Sequence, residues 1–228
     1  MDDETLAWLG VITEAAGGSR AALMAAAARA RQTPGACTVV LVEGMSDQAA
    51  VQTLAARSGR DLPAEGVFVV PMGGATNIAH FLGLFGPRGF GVRLAGLCDQ
   101  AEEHDFRRGL ERAGLADGDG TPAAGLAGDP AAGLARLGFF VCVADLEDEF
   151  IRALGAGRVE RLIAAEGESG SFGTFVKQPA HRDEPREQQL HRFLGTRSGR
   201  KIRYGHLLAA AVDLALVPGP LAGLLAWM

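Results

Sequence analysis

The sequence predicts an α/β fold, a parallel sheet of about four strands flanked by helices. Three observations carry this. Four short runs, Thr38–Val42, Val67–Val70, Phe90–Leu97 and Phe139–Ala144, are almost wholly apolar, as strands buried on both faces are. Stretches of helical composition separate the runs, which is the alternation that parallel sheets need. With 228 residues, 48% of them hydrophobic, the chain has enough apolar material for one sizeable core.

Taken in order, residues 1–35 read as a helical N-terminal arm. Leu6 to Arg31 forms two helices, broken at Gly17-Gly18 and restarted by Ser19 as a cap, and Thr33-Pro34-Gly35 is a turn. Residues 36–155 read as the α/β core. The first strand leads through Glu43-Gly44-Met45-Ser46-Asp47 into a helix from about Asp47 to Arg57. Gly44 is expected to permit a tight turn, and Ser46 or Asp47 to cap the helix. The second strand ends at Pro71. Met72-Gly73-Gly74-Ala75-Thr76-Asn77 then turns into a helix through Phe85. The third run ends in Cys98-Asp99, before a charged helix from about Ala101 to Ala113. Ala116 to Ala132 is Gly-, Asp- and Pro-rich and reads as a loop. The fourth run ends at Asp145-Leu146-Glu147, which opens a helix through Leu154.

Residues 156–228 read as a helical extension packed on the core. Helices are expected at Arg158–Glu166, Glu184–Leu194, Lys201–Leu216 and Leu221–Trp227, with Ser169 to Gly173 a flexible turn. The apolar tail from His206 is broken by Asp213 and Pro218-Gly219-Pro220, so it reads as buried helices and not as a membrane span. The acidic N-terminus lacks the basic region of a signal peptide, and a cytoplasmic location is expected. Cys37, Cys98 and Cys142 are widely spaced and lie in or beside apolar runs. Buried thiols are expected there, with no zinc site or disulfide framework.

Net charge is −5, but it is unevenly spread. Lys177 to Arg203 carries eight basic residues against Asp183, Glu184 and Glu187. An acidic body with one basic segment suits a carboxylate metal site beside a phosphate-facing patch, and equally a solvated helix face.

Three of the four strands end in acid, at Glu43, at Asp99, and at Asp145 with Glu147. A parallel sheet brings the carboxyl ends of its strands to one edge, where open α/β sheets bind ligands. Carboxylates gathered there repel one another unless a cation neutralises them. A hard divalent cation is therefore expected, held by Glu43, Asp47, Asp99, Glu147 and Asp145. Asp47 and Asp145 read equally as helix caps. Such ions at such an edge act on phosphate, and two of them about 4 Å apart promote phosphodiester cleavage. Lys201 is the candidate cation for the scissile phosphate, because only Lys177 and Lys201 interrupt the use of Arg among 22 basic residues. Gly73, Gly74 and Asn77 are candidate phosphate or substrate contacts, or simply a turn into a helix. Arg200, next to Lys201, is a fourth.

Leu-Val-Glu-Gly-Met-Ser-Asp, then Val-Pro-Met-Gly-Gly-Ala-Thr-Asn, Gly-Leu-Cys-Asp and Asp-Leu-Glu together resemble a Toprim domain, in particular that of the OLD (overcoming lysogenization defect) nucleases. The resemblance covers roughly Cys37 to Leu154. It extends to Gly199-Arg200-Lys201-Ile202-Arg203-Tyr204-Gly205-His206, which is similar to the family's late lysine-bearing helix. It implies a Toprim-like, Rossmann-like sheet and Mg²⁺- or Mn²⁺-dependent cleavage or nucleotidyl transfer on nucleic acid, DNA in preference to RNA. It implies that Glu43 and Asp47 match the first acidic pair, Asp99 the first aspartate of Asp-x-Asp, Glu147 the acid after the fourth strand, and Lys201 the catalytic lysine.

Two departures qualify this. Ala101 stands where the second aspartate of Asp-x-Asp is expected. Glu102, Glu103 or Asp105 would have to substitute, although each reads more readily as a solvated acid. The alternative is a degenerate Toprim protein that binds nucleic acid or a partner ATPase. The ATPase motif Gly-x-x-x-x-Gly-Lys-[Ser/Thr] is also absent from the sequence, so a stand-alone protein or an ATPase partner in trans is expected. Homodimerisation is a further expectation.

Overall fold

A computed structural model describes residues 27–29, 32, 37–115 and 130–228. The N-terminal arm expected over residues 1–35 lies almost wholly outside the described residues, as does most of the loop expected at Ala116 to Ala132. Ala27–Arg29 and Gln32 are helical.

Four strands, β1 (Thr38–Val42), β2 (Val67–Pro71), β3 (Arg93–Asp99) and β4 (Phe139–Cys142), form one parallel sheet in the order β2-β1-β3-β4. Every residue of β1 is buried, as expected for a central strand covered on both faces. Gly96 in β3 is forced by packing. A Cβ there would stand 2.6 Å from the Phe139 ring and 2.8 Å from the Leu41 carbonyl oxygen.

Helix α1 (Met45–Arg57) links β1 to β2, and α2 (Ile78–Phe85) links β2 to β3. Helices α3 (Glu103–Ala113) and α4 (Pro130–Arg136) link β3 to β4. Val39 and Leu41 point to one face, with Phe81, Phe85, Phe106 and Leu110 of α2 and α3. Val40 and Val42 point to the other, with Val51 and Leu54 of α1. That second face is also covered by α5 (Leu146–Leu154), α6 (Ala156–Ala165), α7 (Ser169–Phe175), α8 (Arg186–Gly195), α9 (Ser198–Ala211) and α10 (Gly219–Trp227). Each large apolar side chain buried there contributes roughly 1.5–3 kcal/mol. The C-terminal helices thus share one core with the sheet.

Several boundaries differ from expectation. The third strand starts at Arg93, not Phe90, because Gly91 takes a left-handed conformation (φ 62°) and Phe90 folds back so that its amide donates to Leu84. Ser169 to Gly173 is helical, because Phe172 is buried against Phe193 (ring centroids 5.0 Å apart) and that burial overrides two poor helix formers. The helix expected to reach Leu216 ends at Ala211. Asp213 then accepts from the Ala215 amide (3.0 Å) and starts a short 3₁₀ turn, Leu214–Leu216. The three cysteines are buried thiols. Burial and neighbouring acids push those of Cys98 and Cys142 far above the usual range. No helix among the described residues is long and apolar enough to cross a membrane.

Candidate metal centre

Glu43 directly follows β1, and Asp99 is the last residue of β3. These strands are neighbours, while the next strand in sequence after β1 lies on its other side. The chain therefore reverses its order between them, and their carboxyl ends form the switch point at which open α/β sheets bind ligands.

The turn after β1 is built by backbone bonds. The Glu43 carbonyl accepts from the amides of Gly73 (3.0 Å) and Gly74 (3.2 Å), and the Val42 carbonyl accepts from Met72 (2.8 Å). Gly73 (φ 74°) and Gly74 (φ 125°) take conformations that favour glycine, so this loop can fold over the end of β1. Their amides, read from sequence as phosphate contacts, are spent on holding Glu43. Asn77 likewise donates to the Met72 carbonyl (2.9 Å) and braces the same loop. Gly44 is extended (φ −142°, ψ −175°), a conformation open to any residue, so the tight turn expected of it is not formed.

Asp47 closes the first turn of α1. Its Oδ2 accepts from the Gly44 amide at 2.8 Å, which is half of a capping box. Burial nevertheless pushes its pKa up to about 6, against the pull of that amide and of Lys201.

Glu102 is the residue that sequence reasoning undervalued. A 3₁₀ turn, Gln100–Glu102, follows β3 directly and folds Glu102 back over the strand end. One carboxylate oxygen from each of Glu43, Asp99 and Glu102 lies within 4.8 Å of the others. Glu102 Oε2 is buried with no hydrogen-bond partner. Burial, with the charges of Asp47 and Glu43, pushes Asp99 up to about 8. Burial and a hydrogen bond shared with Glu43 push Glu102 up to about 7. The sequence signal was spacing: Glu102 lies three residues beyond Asp99, one 3₁₀ turn along.

On the other side stand Glu147, in the first turn of α5, and Lys201, in α9. Lys201 Nζ is 3.3 Å from Glu147 Oε2, an ion pair without hydrogen-bond alignment. Both Glu147 oxygens are buried, and burial outweighs the pull of Lys201 to raise its pKa to about 7. Burial disfavours the Lys201 charge, but Glu147, Asp47 and Asp145 outweigh it and hold the ammonium firmly protonated.

Asp145 was expected among the ligands, and its oxygens are engaged elsewhere. Oδ1 accepts from the Asp148 amide (2.9 Å) as an N-cap, and Oδ2 lies 2.5 Å from His191 Nε2. Burial opposes its charge, but those bonds win and hold its carboxyl below the usual range. His191, not singled out from sequence, is raised in turn by Asp145.

Arg200, expected as a phosphate contact, is engaged within the fold. Its guanidinium is buried over the Phe193 ring (4.1 Å) and donates to both Glu168 oxygens, to the Phe193 carbonyl and to Thr196. Successive residues of α9 differ by about 100°, so Lys201 reaches the acids while Arg200 points into the helical packing.

The donor set fits a hard divalent cation. Its members are carboxylate oxygens, several of them buried and without donors, and their mutual repulsion is what a cation relieves.

Residues 36–100 match the family described as the overcoming lysogenization defect protein-like TOPRIM domain. Among solved structures, the chain is similar to the C-terminal region of the Xanthomonas campestris pv. campestris OLD protein. That match has 25% identity and TM-score 0.60, and covers 83% of this chain and 92% of that one. The C-terminal region of the Burkholderia pseudomallei OLD protein shares the fold at 21% identity, covering 84% of this chain and 96% of that one (TM-score 0.59). No curated protein gives a significant match. Residues 36–100 thus match an OLD-like Toprim domain, within a chain that has the fold of OLD C-terminal regions.

Proposed function

We propose that this chain is a divalent-metal-dependent enzyme that cleaves phosphodiester bonds in nucleic acid, DNA in preference to RNA. The observation that carries the reading is the convergence of Glu43, Asp99 and Glu102 at the switch point of the sheet, where Glu102 Oε2 is buried without a donor. An OLD-like Toprim domain supports action on nucleic acid.

Glu43, Asp99 and Glu102 would hold Mg²⁺ or Mn²⁺, with Asp47 and Glu147 flanking. The bound ion would supply a Lewis acid for a phosphoryl oxygen and lower the pKa of an attacking water. Glu102 replaces the aspartate that Ala101 does not provide. Lys201 stays protonated and balances the charge that grows on the phosphate. Glu147, anchored under it, limits where the ammonium can go. The 3.3 Å pair therefore aims Lys201 and does not itself react.

Incubation of supercoiled plasmid, linear duplex and structured RNA with Mg²⁺ or Mn²⁺ tests this. The wild type should cleave DNA, and Glu43→Ala should lose about 100-fold or more. Absence of cleavage by a folded wild type that also binds no metal would refute the enzyme and leave a binding protein.

A further inference from the structure

Beside the acidic strand ends, the helices form a groove that starts at Lys201 and Glu147 and extends beyond the residues assigned to the metal centre. A cavity of about 600 Å³ opens next to Lys201 and Glu147, and His191 and Arg192 also line it. A second cavity, about 480 Å³, lies between α7 and the α8–α9 junction, with Ser171, Thr174, Gln178 and Arg197 in its wall. Phe175 and Thr196 line both, so the two cavities adjoin. Together they make a grooved surface that runs from the Lys201–Glu147 pair, past Phe175, to Arg197.

We infer that this groove seats a single strand of nucleic acid leading into the metal centre. The inference rests on the reading that the centre acts on phosphodiesters, and it names the form of the substrate. Three features argue for it. First, Phe175 is half-buried and lines both cavities, and its ring stacks on His181, which lines the first, at 4.2 Å with planes 17° apart, so that the pair forms one aromatic platform braced by Phe193. A flat aromatic wall takes unstacked bases of any identity. A duplex keeps its bases stacked inside and cannot offer them to this wall. Second, cations flank the path. Lys201 and Arg192 line the first cavity, Arg192 paired with Glu184 (2.9 Å), and the exposed Arg197 lines the second. They belong to the segment in which eight basic residues outweigh three acidic ones. A backbone laid along them exchanges counterions for protein cations. Third, the amide side chains of Gln178 and Gln188 offer both donors and acceptors to base edges.

The test is fluorescence anisotropy with the full chain and Ca²⁺ present, comparing a labelled oligothymidine of about fifteen nucleotides with a blunt duplex of equal length. The single strand should bind about ten-fold tighter. Phe175→Leu keeps an apolar contact to Phe193 but removes the aromatic face. It should weaken single-strand binding about ten-fold and leave duplex binding unchanged. Arg197→Gln should lower the salt dependence of binding by about one unit of slope. Thr174→Glu, exposed on α7, places a negative charge in the groove without touching the core, and should also weaken single-strand binding. Equal or tighter binding of the duplex overturns the inference. So does unaltered single-strand binding by Phe175→Leu or, should that variant melt early by circular dichroism, by Thr174→Glu. Metal-dependent plasmid cleavage without a single-strand preference would sink the groove alone. A preference without any cleavage would sink the nuclease alone.

Discussion

Gly205 of α9 lies against the backbone of Ser46 in α1. A Cβ at position 205 would stand 2.6 Å from the Ser46 carbonyl oxygen and 3.2 Å from its carbonyl carbon. Both neighbours are backbone, so no side-chain rotation relieves the clash. Lys201 lies one turn before Gly205, and Asp47 follows Ser46, so this contact sets the lysine against the acids.

Gly205→Ala should therefore push α9 away from α1. Overpacking of this kind costs about 1–3 kcal/mol, and the better helix propensity of alanine offsets roughly 1 of that. A lower denaturation midpoint in urea is expected, with a loss of cleavage larger than the stability change explains. Gly199→Ala, in the same helix but with nothing within 4 Å of its Cβ, is the control and should be neutral or mildly stabilising.

The metal-free protein should lose stability as pH rises from about 4 to about 8. Asp47, Glu102, Glu147 and Asp99 are raised to about 6, 7, 7 and 8 in the folded chain, while unfolded carboxyls titrate near 4. In that window the folded state holds protons that the unfolded state has released, so raising the pH favours unfolding. Stability from this source is complete below about pH 4 and gone above about pH 8. Mg²⁺ or Mn²⁺ binds the ionised form, so its presence should flatten the decline and release protons on binding. Urea melts at several pH values, with and without metal, check the sign. A metal-free chain that grows more stable between pH 5 and pH 8 would contradict it.

What was legible in the sequence was whatever depends on near neighbours and on topology. The unbroken apolar runs marked β1, β2 and β4 closely. A parallel sheet with acidic strand ends brought Glu43 and Asp99 to one edge, and Lys201 faces that edge from α9. What was not legible depends on partners distant in sequence. Asp145 is drawn off by His191, 46 residues away, and nothing local to either residue announces the pair. Arg200 reads as basic and exposed until Glu168, 32 residues earlier, and the Phe193 ring are seen to enclose it. The amides of Gly73 and Gly74 suggested an anion, and only the fold shows that the Glu43 carbonyl takes them.

Asp99→Asn should stabilise the metal-free protein at pH 8 while abolishing its response to metal. Burial and the charges of Asp47 and Glu43 oppose the ionisation of Asp99. Removing that charge relieves repulsion worth on the order of 1 kcal/mol, after allowing for its partial contact with solvent. A gain in stability paired with a loss of function is the pattern of residues kept for chemistry. Thermal melts of both proteins, with and without Mn²⁺, measure the two effects together.

The replacement of the missing aspartate by Glu102 can be tested by moving the carboxylate. If Glu102 were a solvated acid, Glu102→Ala would leave metal binding as it is. Its oxygen instead lies within 4.8 Å of oxygens from Glu43 and Asp99, so Glu102→Ala should weaken Mn²⁺ binding by about 10-fold or more. Ala101 is exposed, so an aspartate there meets no packing penalty. The double variant Ala101→Asp, Glu102→Ala restores the Asp-x-Asp spacing and should recover part of the lost affinity. Isothermal titration of Mn²⁺ into the three proteins separates the outcomes. Recovery would place the ligand at whichever neighbouring position carries the acid. Wild-type affinity in Glu102→Ala would leave the ion to Glu43, Asp47 and Asp99.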